Sequence, residues 1–94
     1  MIHIISIKFE KSLEIIDKIL DDHRKFLKTG YQENLFIASG PKTPRTGGVI
    51  IAKGDLNEIK KFLEKDPYNI NDAATYSYES FNAVLHNDDF RHCL

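Results

Sequence analysis

The sequence has no tryptophan, one cysteine, three prolines and no sustained apolar run. Each scarcity closes off a class of protein. Cys93 sits one residue from the end and has no partner in the chain, so an internal disulfide is excluded and a reducing cytosol fits. No stretch approaches the roughly 18 apolar residues of a membrane-spanning helix. The opening Met1-Ile2-His3-Ile4-Ile5-Ser6-Ile7-Lys8 is too short and too soon charged for a signal peptide, so a cytoplasmic protein without a membrane partner is expected. Neither sign of charge dominates: 13 Lys and Arg stand against 14 Asp and Glu. A phosphate backbone calls for a basic patch, so nucleic acid is not the expected partner. There is no linker and no low-complexity segment, and residues 1–94 read as one domain, with a core over about 1–84 and a polar tail over 85–94. A chain this short buries a modest share of its surface and tends to lean on a partner subunit.

The residues present form a pattern that changes period several times. Ile2 to Phe9 is β-branched and aromatic and reads as a strand. Ser12 caps a long helix in which Leu13, Ile16, Leu20, His23 and Leu27 recur at steps of three and four. The helix is expected to end near Glu33, tolerating Gly30 at some cost. Leu35–Ser39 and Gly48–Lys53 read as strands, joined by a loop over Gly40–Thr46 that holds Pro41 and Pro44. Asp55-Leu56-Asn57-Glu58 is a capping box that opens a second helix, which Pro67 should end. Ala74 to Val84 is a fourth strand, irregular near Glu79, and Leu85–Leu94 is a loose polar tail. The order β-α-β-β-α-β is that of a ferredoxin-like α+β sandwich with a four-stranded antiparallel sheet.

Two helices cover one face of such a sheet, yet the strands are apolar on both. Ile5, Ile7 and Phe9 oppose Ile2 and Ile4; Leu35 and Ile37 oppose Phe36 and Ala38; Val49 and Ile51 oppose Ile50 and Ala52. An antiparallel sheet with one wet face should alternate. The simplest cover is the same sheet of a second copy, a face-to-face homodimer with two-fold symmetry.

Two polar residues stand out against this pattern. His23 lies on the apolar stripe of the first helix, and Asp66 opens Asp66-Pro67-Tyr68 after the second. A histidine and a carboxylate brought together beside a small pocket carry acid–base chemistry at neutral pH. On the residues alone, His23 reads first as a core histidine bonded to a backbone carbonyl, and Asp66-Pro67 equally as ordinary turn chemistry. Ser39, Gly40 and Pro41 line the candidate pocket or simply end a strand. Ser39 lacks the Gly-x-Ser-x-Gly elbow of a nucleophile. Lys42 and Arg45 come next in the loop, placed to clamp a substrate carboxylate or to be solvated. Tyr68 walls the pocket or packs, while Tyr76 and Tyr78 alternate on the last strand as sheet-face residues. His86, Asp88, Asp89 and His92 match no metal spacing, and neither a metal nor a cofactor is expected.

Three motifs also carry a resemblance. His23-Arg24-Lys25-Phe26-Leu27, then Leu35-Phe36-Ile37-Ala38-Ser39-Gly40-Pro41, then the helix closing on Asp66-Pro67-Tyr68 resemble the YciI-like (YCII-related domain) family, over the chain up to about Phe81. The resemblance implies a ferredoxin-like fold paired as a dimeric α+β barrel, with His23 and Asp66 as a histidine–aspartate pair in the active site. It also implies chemistry like that of a characterised branch of dehydrochlorinases, and a barrel shared with muconolactone isomerases. The chain departs from the family pattern in Asn69-Ile70-Asn71-Asp72-Ala73-Ala74, which has no glycine, and in Asn34 before the second strand, where asparagine tolerates the same backbone.

The function expected is that of a cofactor-independent lyase or isomerase acting on a small organic acid or lactone. His23 and Asp66 would be catalytic, and Ser39, Gly40, Pro41, Tyr68 and Arg45 would bind substrate. The alternative is a dimer that binds a small molecule without converting it.

Overall fold

A computed structural model describes residues 1–94. Strand β1 (Ile2–Phe9) leads into helix α1 (Leu13–Gln32), and then into β2 (Phe36–Pro41) and β3 (Gly47–Lys53). Helices α2 (Leu56–Leu63) and α3 (Pro67–Ile70) precede β4 (Ala74–Phe81), and a 3₁₀ helix over Asp88–Cys93 closes the chain. The strands form one antiparallel sheet in the order β2-β3-β1-β4. Apart from the short insertion α3, this is the ferredoxin-like arrangement expected from the sequence.

The ends of α1 are set by its caps. The Ser12 hydroxyl accepts from the Ile15 amide, and Glu33 closes the helix, as its periodicity predicts. Asn34 then takes the left-handed backbone, with φ of 59°. The residues of α1 that are buried, Ile16, His23 and Gly30, recur every seven positions along one line of the helix. Gly30 is required there, not merely tolerated: a Cβ would lie 2.2 Å from the Phe36 ring. The line places His23 at the middle of the helix, over the sheet.

Ile5 and Ile7 of β1, Ile50 and Ala52 of β3, and Phe36 of β2 pack beneath Ile16 of α1 and Ile59 and Leu63 of α2. This is the single large apolar cluster, and burying such side chains contributes about 1.5–3 kcal/mol each. On the opposite face Ile2 is buried near the C-terminus, while Ile4 is 37% exposed and Val49 and Ile51 are half-buried.

Several local expectations are corrected. Strand β2 continues through Gly40 and Pro41, which pair with Val49 and Gly48, because an edge strand does not need the amide that proline lacks. A bulge at Ile37 shifts the register, so Phe36 and Ala38 fall on opposite faces rather than on the same one. Pro67 does not end α2. It occupies the first turn of α3 behind Asp66 as N-cap, where a missing amide costs nothing. Strand β4 pairs regularly with β1 through Glu79 and stops at Phe81, three residues short of Val84. The tail is ordered into its 3₁₀ helix by the Asn87 side chain, which accepts from the Asp89 amide. Asp72, in the stretch that has no glycine, adopts φ of 51° and supplies the left-handed turn itself.

Candidate functional site

Helix α1 brings His23 to the start of α3. Its Nδ1 lies 2.7 Å from Asp66 Oδ1. Asp66 is fully buried and accepts three hydrogen bonds: from the imidazole, from the Tyr68 amide at 3.0 Å on the same oxygen, and from the Tyr76 hydroxyl at 2.6 Å on Oδ2. An ionised carboxylate accepts and does not donate. The histidine therefore donates from Nδ1, and the lone pair of its neutral ring sits on Nε2. That nitrogen has no hydrogen-bond partner in the protein, and no side-chain N or O atom is both buried and unpartnered. His23 lines a cavity of about 400 Å³ between α1, the β2–β3 hairpin and α3, and Nε2 is its free hydrogen-bonding atom there.

Asp66 thus serves both readings of its sequence context: it caps α3 and it holds His23. Tyr68 stacks on the imidazole, with ring centroids 3.9 Å apart and planes at 17°, and Phe9 meets Tyr68 edge-on at 5.6 Å. The ring of His23 is therefore fixed by a hydrogen bond at one edge and an aromatic wall on one side.

Burial dominates the electrostatics around the pair. Tyr76 is pushed far above the usual phenol range, first by burial and then by the Asp66 charge, so it remains a donor. Burial also raises Tyr68, opposed by the nearby guanidinium groups of Arg45 and Arg24. Arg45 is held in its charged form by its hydrogen bond to Asp17.

Of the residues expected from the sequence to be catalytic or to bind substrate, His23, Ser39, Gly40, Pro41, Arg45 and Tyr68 border the cavity. Asp66 lies behind His23. The Ser39 hydroxyl is bonded to the Tyr31 hydroxyl at 2.7 Å. Lys42 is not part of the lining. Three contributors are not recognisable from the sequence. For Tyr76, alternation along the strand tells the side it faces, and nothing in one sequence tells where its hydroxyl ends. Asp17 and Arg24 read as solvated helix charges, although their positions, seven apart and flanking His23 by six and one, place them around the same line of α1.

No curated protein matches the sequence. Among solved structures, 5-chloro-2-hydroxyhydroquinone dehydrochlorinase from Burkholderia phenoliruptrix, in complex with 2,5-dihydroxybenzoquinone, superposes with a TM-score of 0.74. The superposition covers 87% of this chain and 94% of that one at 19% identity, a likeness that establishes the shared fold. The family model described as the YCII-related domain matches residues 1–82. The motifs around His23, Ser39 and Asp66 all fall inside that span, and the chain belongs to the YCII-related domain family.

Proposed function

We propose that the protein is a lyase or isomerase that moves a proton on a small organic acid or lactone, with His23 as the base and Asp66 as its positioning partner. The observation that carries this reading is the Nδ1–Asp66 bond, which leaves Nε2 free toward a cavity. In an elimination, Nε2 takes a proton from a carbon next to a carbonyl. The C–H electron pair forms a double bond, and the group on the adjacent carbon leaves with its own electron pair. In an isomerisation the same nitrogen returns the proton at another carbon. In both, the positive charge that develops on His23 is met by the Asp66 carboxylate, which is held by two further donors. This chemistry calls for no cofactor. The neighbouring dehydrochlorinase, whose name describes the removal of HCl from a chlorinated aromatic triol, supports elimination as the reaction type. Ser39, Gly40, Pro41, Tyr68 and Arg45 would form the walls that hold the substrate.

We further propose that the working unit is a homodimer joined through the second sheet face, where Ile4, Val49 and Ile51 lie together and are left partly exposed by their own chain. Sedimentation should give the mass of two chains, and Ile51→Glu, which places a charge at the centre of that face, should give one. A wild-type monomer at micromolar concentration would contradict the dimer.

The experiment for the reaction is turnover of a panel of chlorinated and hydroxylated organic acids and lactones by wild type and His23→Ala. Conversion that disappears in the variant supports the reading. Binding without conversion across the panel, with the compound recovered unchanged, would instead favour a binding protein.

A further inference from the structure

Two guanidinium groups border the cavity, and neither is fully engaged. Arg24 of α1 has no carboxylate within ion-pair distance. Arg45, in the β2–β3 loop, makes a single bond, Nη2 to Asp17 Oδ1 at 2.6 Å, so most of its donors face no acceptor. That contact joins the loop to α1 at the mouth of the cavity, where both side chains are partly exposed. An exposed pair with one hydrogen bond is screened by solvent and exchanges readily. Tyr68, which also borders the cavity, has a hydroxyl without a protein partner that is open to solvent there. Ile7, Leu20 and Leu27 give the cavity apolar walls. The cavity thus combines two guanidinium groups that have unused donors with apolar walls, and His23 borders it as well.

We infer that the ligand is a small organic anion whose charged group takes the place of the Asp17 carboxylate on Arg45, with its apolar body against Leu20 and Leu27. This rests on the proposed function's view of the cavity as the reaction site, and adds the charge and polarity of the molecule that enters it. A free carboxylate or phenolate can approach the guanidinium along two N–H bonds where Asp17 makes one, and Arg24 adds a second positive charge. Asp17 then acts as a selectivity device. It neutralises Arg45 while the cavity is empty, and gives way only to another anion. A neutral ligand of the same shape gains nothing from the exchange.

The test is a pair of isosteric probes, benzoate and benzamide, titrated into the isotope-labelled full-length protein and monitored by amide chemical shifts. Benzoate should bind about tenfold more tightly than benzamide, a difference of about 1.4 kcal/mol. The preference should disappear in Arg45→Gln, weaken in Arg24→Gln, and grow several-fold in Asp17→Asn, which frees Arg45. These side chains lie at the surface, so the fold should survive each change. Equal binding of the two probes, a preference unchanged in Arg45→Gln, or no shift from either probe at millimolar concentration would overturn the inference. His23→Gln separates this claim from the catalytic one. The benzoate preference should persist there, so a protein that selects benzoate but whose turnover does not depend on His23 keeps the anion site and loses the base.

Discussion

The molecule buries two histidines, and they are bonded in opposite ways. His3, 1% exposed on β1, has both ring nitrogens occupied: Nε2 lies 2.7 Å from the Gly54 carbonyl and Nδ1 2.7 Å from the Ser80 hydroxyl. A carbonyl only accepts, so Nε2 of His3 carries the proton and Nδ1 accepts from serine. His23, 7% exposed on α1, is bonded on one side only and opens onto a cavity on the other. Burial and hydrogen bonding are common to both. A fastening and a candidate base are separated by the unclaimed nitrogen and the carboxylate behind it. His3 ties β1 to the end of β4 and to the turn at Gly54; in the proposed mechanism, His23 is the group that reacts.

Substituting the two residues should separate these roles most sharply. His23→Ala should lower turnover by about 10²–10⁴-fold, the usual contribution of a positioned general base, while the protein keeps its circular dichroism spectrum. His3→Ala should do the reverse. Turnover of the folded protein should stay within a few-fold of wild type, while urea denaturation shows a loss of about 1–3 kcal/mol from the two lost hydrogen bonds, to the Gly54 carbonyl and the Ser80 hydroxyl. Equal kinetic losses in the two variants would erase the distinction.

A smaller effect is expected behind His23. Asp66→Asn keeps a side chain that can cap α3 and accept from Nδ1, but it removes the negative charge opposite the imidazolium. A hydrogen bond to a charged group contributes about 1.5–3 kcal/mol, which corresponds to a loss of roughly 10- to 150-fold in kcat. Tyr76→Phe leaves two of the three donors on Asp66 and should cost about fivefold, near 1 kcal/mol. An unaltered rate in Asp66→Asn would show that the pair is structural, as His3 is.

The smallest effect concerns pH. The phenols of Tyr68, Tyr76 and Tyr78 all lie above the ordinary tyrosine value of 10.0, chiefly through burial. Below about pH 10 the folded and unfolded chains both keep these protons, and stability from this source is constant. Above it the unfolded chain releases protons that the folded chain retains, so stability falls as pH rises. Urea midpoints should decline from pH 10 upward, and less steeply in Tyr76→Phe. A midpoint that rises over that range would contradict the assignment.

The difference between the histidines is partly legible in the sequence. His23 breaks a helical stripe, Asp66 opens a Pro-containing turn, and the resemblance to the YCII-related family joins them. His3 sits in a strand of isoleucines with no local mark of its role, because its partners are a serine 77 residues away and a backbone carbonyl. The extent of β1 and the caps at Ser12 and Asp55 arise from local chemistry, and the sequence carries them well. The bulge at Ile37, the run of β2 through Pro41 and the reach of Tyr76 depend on pairing between distant strands, which a local pattern does not encode. Asp66-Pro67 reads as a stop and is a start: the same two residues suit the end of one helix and the first turn of the next, and only packing against α1 decides between them.

The most direct test is the proton position on the two rings, read from long-range nitrogen–proton correlations of the histidine side chains at mildly alkaline pH, where imidazole is neutral. His23 should be protonated on Nδ1, with an unprotonated Nε2, and His3 should show the opposite tautomer. Finding His23 protonated on Nε2 would remove both its donation to Asp66 and its free lone pair, and with them the assignment of His23 as the base.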